Sequence, residues 1–387
     1  MNDVTLADVF NAGFEDYARE QEVVSVQEGK VARAIMNCRT DMLGGMVYHC
    51  ESCNTTVPLY HSCRSRYCPT CQAKARSAWV EKREKEMLDV PYVHIVFTVP
   101  SSLKAFALRN RRAFYDLMFR AVSQTLLVLG KDSQHLGGKI GIVTMLHTWT
   151  QTLEYHPHIH CIVPAGALSE DGIEWIAGRP DFLFPVNVVK ALYRGKFLAL
   201  FRTALRTKDI DLHGIYVETD EAVDDLLDSL YRKEWVVFMK ESITSPVSVV
   251  KYLAAYTNRI AISNARIKAV REGKVSFTYI DRTDHDREKL LCLPVQDFIR
   301  RFFLHLVPPG FVRIRYYGFL SNRGRSENIE QCRLAISGKP RMSPEKHGET
   351  ETPVSPRTIR CPSCGGKHLK PIEEIPKRLI YYHRRAA

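Results

Sequence analysis

The stretch Glu154-Tyr155-His156-Pro157-His158-Ile159-His160-Cys161-Ile162-Val163 places three histidines at every second position and then runs into an apolar segment. Side chains alternate faces along a β-strand, so His156, His158 and His160 share one face while Ile159, Cys161 and Val163 turn into a core. Imidazoles gathered in this way make half of a divalent-metal site. The run before it, 141–153, also reads as a strand. An antiparallel hairpin turning at Glu154-Tyr155 pairs Leu153 with His156 and sets Gln151 across from His158. Gln151 is therefore the expected third ligand. Two other readings of these residues stay open. Histidines in a half-buried strand can simply hydrogen-bond to their neighbours, and a histidine-triad nucleotidyl hydrolase uses such a strand to attack phosphate without a metal, a pattern that Pro157 fits poorly.

A second nucleophile decides between them. Downstream, 248–264 reads as a helix preceded by Pro246, and it carries Tyr252 and Tyr256 at a spacing of four. That spacing puts both phenols on one helical face, with Lys251 and Arg259 close by.

With these residues in view the chain resembles the two-tyrosine HUH endonucleases, and within them the rolling-circle transposases of the insertion-sequence-ninety-one family. The matching stretches are Leu146-His147-Thr148-Trp149-Thr150-Gln151 leading into the histidine strand, Arg194-Gly195-Lys196-Phe197-Leu198-Ala199-Leu200, the tyrosine helix, and Gly310-Phe311-Val312-Arg313-Ile314-Arg315-Tyr316-Tyr317-Gly318. They are collinear and span nearly the whole chain. The resemblance implies an α+β fold, an HUH domain with a central antiparallel sheet of about five strands flanked by helices. It implies His158 and His160 as ligands of a catalytic Mg²⁺ or Mn²⁺, and Tyr252 and Tyr256 as nucleophiles. The activity it implies is nicking and rejoining of single-stranded DNA through a 5′-phosphotyrosine; a plasmid replication initiator or a relaxase would use the same chemistry. The partners implied are transposon ends and target DNA, single-stranded or hairpin.

Composition agrees with a polyanionic partner. The 387 residues carry 55 Lys and Arg against 43 Asp and Glu, a formal net charge of +12, and a basic excess of that size suits nucleic acid. No apolar run is long enough to span a membrane, and the first residues lack a basic-then-apolar signal. The expectation is a cytoplasmic, nucleoid-associated protein with no membrane partner. Eleven cysteines clustered in Cys-x-x-Cys pairs argue for metal rather than disulfides in such a chain.

Those cysteines begin after a helical region, 1–37, in which Phe10, Phe14 and Tyr17 recur at spacings of three and four. Within 38–88 the knuckles Cys50/Cys53 and Cys68/Cys71 have the spacing of a four-thiolate structural Zn²⁺ site, flanked by Arg64 and Arg66 as candidate DNA contacts. Cys38 and Cys63 remain as candidates for a second zinc, with His49 and His61 as candidate co-ligands; Met46 and Tyr67 stand where the resembling family often has histidine. Four thiolates leave no open coordination position, so this zinc-binding module reads as DNA-binding, not catalytic.

The nuclease/transposase domain is expected over 89–335. It opens with a buried strand at 92–100 that contains His94, either a core residue or a group near the metal. Near its end, the alternation of Arg313 and Arg315 with apolar and aromatic residues suits phosphate contacts and base stacking on single strands. The last segment, 336–387, reads as a flexible linker and a tail with the knuckle Cys361/Cys364. A zinc there would need completing by His368, His383 or Cys332.

Overall fold

The computed structural model describes residues 4–179, 183–212, 219–243, 261–338 and 360–378. The chain divides into two compact units: Ala75–Ala261 with Arg301–Met342, and Met1–Lys74 with Ile262–Arg300 and Ser343–Ala387.

The first of these is built on a five-stranded sheet in the order β12-β4-β5-β3-β8, antiparallel at every pairing. Its strands are β3 (Tyr92–Thr98), β4 (Gly141–Trp149), β5 (Tyr155–Pro164), β8 (Val237–Ile243) and β12 (Ile314–Gly318). The histidine strand, β5, is central. Both faces are covered, which is why β4 is buried at nearly every position and not at alternate ones. Helices α5 (Arg111–Lys131) and α6 (Val186–Arg206) serve the face of Tyr155 and Ile159. Tyr115 Oη meets Tyr155 Oη at 2.8 Å, Phe97 packs edge-on to Tyr193, and Phe114 does the same with Phe197. On the other face Tyr92, Val143, Met145 and Ile162 join Phe319, Leu320, Ile329 and Cys332 in one buried cluster. The helix Arg325–Ser337 supplies the last two.

The connection from β4 to β5 differs from the expected hairpin. It is a loop over 150–154 in which the Thr150 N–H donates to the Glu154 carbonyl, the Glu154 N–H donates to Thr150 Oγ1, and buried Leu153 takes a left-handed backbone (φ 62°). Trp149 consequently pairs with Tyr155, and His147 stands opposite His158. Gln151 falls in the loop, so the expected pairing of Gln151 with His158 is corrected. Buried His305 closes the loop from behind, donating from Nε2 to the Leu153 carbonyl at 3.1 Å and accepting at Nδ1 from Thr148 Oγ1.

The second unit opens with the expected helices, α1 (Leu6–Glu20) and α2 (Val26–Met36), each started by a capping box, Thr5 with Asp8 and Ser25 with Glu28. Phe10, Phe14 and Tyr17 form the buried stripe of α1. Strands β9 (Ile267–Arg271), β10 (Lys274–Asp281) and β11 (Arg287–Pro294) make one antiparallel sheet. A further sheet has β1 (Gly45–Cys50) in its middle, between β2 (Thr56–Tyr60) and β13 (Leu369–Ile375). Most of the expected linker lies outside the described residues; in the tail after it, 360–378 form a turn and strand, and β13 pairs with β1 from Gly45↔Ile375 to Cys50↔Leu369. Among the described residues no helix is long and apolar enough to cross a membrane.

Candidate functional site

On the central strands His147, His158 and His160 bring one ligand nitrogen each to within 4.8 Å of one another. His147 comes from β4 and the other two from β5, on one face of the sheet. His147 and His160 are buried, at 5% and 6% exposed, while His158 is half-buried. Neighbours fix the ring orientations. The Nδ1–H of His158 donates to the His156 carbonyl at 2.7 Å, which places the lone pair of that ring on Nε2. His160 Nδ1 is 2.9 Å from Nε2 of His94, a residue of β3 that is 3% exposed. His147 stacks on Trp149 with centroids 4.5 Å apart. Burial, reinforced by the Lys104 charge, lowers the pKa of His156 and keeps it neutral beside the cluster. Three convergent imidazoles, two of them hydrogen-bonded from behind, could hold a divalent ion, and outer hydrogen bonds are what such ligands require.

Two clusters of thiols lie in the other unit. Cys38, Cys63, Cys68 and Cys71 form one, and Cys50, Cys53, Cys361 and Cys364 form the other, each within 4.8 Å. The expected quartet of Cys50, Cys53, Cys68 and Cys71 is therefore corrected. Each Cys-x-x-Cys knuckle keeps its two sulfurs together but takes a different second pair. Sγ–Sγ separations of 3.6 Å join Cys38 to Cys71, Cys63 to Cys71 and Cys38 to Cys68. That is the edge of a tetrahedral cage: a Zn–S bond of about 2.3 Å implies an edge of about 3.8 Å. Packed together the thiols compete for charge. A hydrogen bond from Cys63 holds Cys68 down to about 5, while burial pushes Cys38 up to about 11. A dication would settle that competition, so this donor set fits zinc. Neither His49 nor His61 belongs to either cluster, and Cys332 is buried in the core of the other unit.

Comparison with known proteins places this arrangement. A "Putative transposase" family matches residues 141–328, and a "Transposase zinc-binding domain" family matches residues 9–99. The "Putative transposase y4qJ" of Sinorhizobium fredii (strain NBRC 101917 / NGR234) is 39% identical over 380 residues, covering 95% of this chain and 94% of its own. The chain belongs to the IS91 family of transposases. The transposase for insertion sequence element IS801 of Pseudomonas savastanoi pv. phaseolicola is 28% identical over 356 residues, covering 88% of this chain and 82% of its own. No solved structure matches the transposase.

The remaining expected site residues of the transposase separate into groups. Tyr252, Tyr256, Lys251 and Arg259 lie outside the described residues. Arg64 is exposed in the loop between Cys63 and Cys68, with a left-handed backbone (φ 53°), and Arg66 lies 5.8 Å from the ring of its neighbour Tyr67. Arg313 gives its carbonyl to the Leu146 N–H. Arg315 turns back onto α5, where it pairs with Asp116 and lies 4.1 Å over the Phe119 ring. Its guanidinium is thus engaged within the protein. His147 is what the sequence reading missed; of the two readings offered for His94, the contact with His160 matches the group beside the histidine cluster. A histidine closing the β4 run was the available signal for His147, but only the true loop length brings it into register with His158.

Proposed function

We propose that this transposase cuts and rejoins single-stranded DNA by tyrosine attack at the His147/His158/His160 centre, as a rolling-circle transposase does. The observation that carries this reading is the cluster of three imidazoles with His94 and the His156 carbonyl behind it. When bound, a divalent ion there would neutralise charge on the non-bridging oxygens of the scissile phosphate. Imidazole ligands favour a transition ion such as Mn²⁺ over Mg²⁺, which prefers oxygen. Tyr252 or Tyr256 supplies the nucleophile: its Oη forms a bond to phosphorus, the bond from phosphorus to the 3′-oxygen breaks, and a proton passes to that oxygen. The products are a 5′-phosphotyrosine and a 3′-hydroxyl. Reversal by another 3′-hydroxyl joins the strands without ATP, because the ester bond keeps the energy of the one it replaced. Arg64, Lys251 and Arg259 bind phosphates, in keeping with the net charge of +12. Both thiol clusters are structural.

Incubation of the full chain with labelled single-stranded DNA and Mn²⁺ or Mg²⁺ tests the proposal. A denaturation-resistant protein–DNA adduct is expected. It should persist in one of Tyr252→Phe and Tyr256→Phe and vanish in the double variant. An undiminished adduct in the double variant, or DNA mapped to neither tyrosine, would overturn it.

A further inference from the structure

Cys361 and Cys364 fall outside both stretches that the transposase families match, 9–99 and 141–328. We propose that they complete a second tetrathiolate zinc site with Cys50 and Cys53, one that fastens the C-terminal segment 360–378 to the N-terminal sheet.

Three observations carry this. The first is the sulfur geometry. Cys50 Sγ lies 3.7 Å from Cys364 Sγ, and Cys53 Sγ lies 3.7 Å from Cys361 Sγ. Both contacts run between knuckles, and both match the tetrahedral edge of about 3.8 Å implied by a Zn–S bond of about 2.3 Å. They are far beyond a disulfide bond of about 2.05 Å.

The second is that the two knuckles are built alike. The Asn54 N–H donates to the Cys50 carbonyl at 2.8 Å, and the Gly365 N–H donates to the Cys361 carbonyl at 2.8 Å. In each, the residue directly after the second cysteine takes the left-handed conformation, Asn54 at φ 57° and Gly365 at φ 74°. This turn brings two thiols spaced by two residues to the same side. It also aims amide hydrogen at sulfur, with the Gly366 N–H 3.4 Å from Cys364 Sγ, and such donors stabilise a thiolate ligand.

The third is the backbone that the site holds in place. The Glu51 N–H donates to the His368 carbonyl at 3.0 Å, directly beside the knuckles, and β13 then pairs along the whole of β1. Gly44, at φ 68°, admits this: a Cβ there would lie 2.5 Å from the Ile375 carbonyl oxygen. A two-stranded hairpin of β1 and β2 alone is marginal in water, and a small sheet of this kind needs a staple. The other quartet cannot provide it, since its members all lie in 38–71.

The experiment loads the full chain with Co²⁺ and counts the equivalents that show thiolate-to-cobalt charge-transfer absorption, to which imidazole sites do not contribute. Two equivalents are expected, falling to one in Cys361→Ser/Cys364→Ser and to one in Cys68→Ser/Cys71→Ser. A single equivalent in the unaltered chain overturns the proposal, as does an undiminished two in Cys361→Ser/Cys364→Ser. Zinc X-ray absorption needs no cysteine variant. In His158→Ala/His160→Ala, which lacks the imidazole centre, four sulfurs per zinc at about 2.3 Å are expected. A mixture of sulfur and nitrogen overturns the site.

Discussion

His94 Nε2 and His160 Nδ1 lie 2.9 Å apart across neighbouring strands, with their rings within 9° of parallel. The register makes them diagonal neighbours, since His94 pairs with Ile162 and Val96 pairs with His160. His94 is thus placed to orient His160 without itself joining the three-histidine cluster. Removing such a partner typically costs ten- to a hundredfold in metal affinity. His94→Ala is expected to weaken Mn²⁺ binding by about that factor in a direct titration, with the fold retained by circular dichroism, and His94→Asn is expected to recover part of the loss. Unchanged Mn²⁺ affinity in His94→Ala would remove it from the centre.

The register sets His147 opposite His158 and leaves Gln151 in the loop, so His147 is the third ligand we propose. His147→Ala is expected to reduce adduct formation at least as severely as His158→Ala, and Gln151→Ala to reduce it much less. Side-by-side rates at saturating Mn²⁺ check this, and a Gln151→Ala variant slower than His147→Ala reverses the assignment.

Arg315 and Arg64 should part company. Arg315→Ala removes a cation held over Phe119 and paired with Asp116, so it is expected to lower stability by about 1–2 kcal/mol while leaving DNA affinity unchanged. Arg64→Ala is expected to leave stability alone and to reduce the salt-dependence slope of DNA binding by about 1. Denaturation curves and binding at several salt concentrations measure both. A salt slope changed by Arg315→Ala and not by Arg64→Ala would contradict the geometry.

Burial of His305, with a further push from the Arg111 charge, lowers its pKa to about 3. The folded chain therefore keeps this imidazole neutral at pH values where the unfolded chain protonates it. Its contribution to stability is complete above the ordinary value of 6.5 and is lost as pH falls from there toward about 3, by up to about 1.4 kcal/mol per pH unit. Thermal unfolding at pH 7.5 and 5.5 should show a larger loss for the unaltered chain than for His305→Gln. Parallel losses would place the titration elsewhere.

How far these features can be read from the residues depends on the range of the interaction behind each. The alternation His156, His158, His160 exposes a metal face because a period of two is local, and the mixed strands and helices around it give away a five-stranded antiparallel sheet. His147 is hidden by a loop whose length depends on hydroxyl capping by Thr150 and on the burial of Leu153, and one misplaced turn residue moves every cross-strand partner. The thiols behave the same way. Two residues of spacing decide that Cys50 joins Cys53 and that Cys361 joins Cys364, but which pairs then meet is settled by strand pairing between distant segments. Arg315 is a related case: its alternation with aromatics is local, whereas its packing over Phe119 and Phe311 depends on distant segments.

The pairing of β1 with β13 also sets an order of events during synthesis. Amino-terminal regions generally fold first as a chain leaves the ribosome, yet β1 has no outer neighbour until Ile375 has been translated. A frameshift or stop between Gly318 and Leu369 would release a chain with all five strands of the histidine sheet but with β1 as a bare edge, open to mispairing. The zinc-binding region is thereby finished only once 369–375 have been made, after every strand of the histidine sheet.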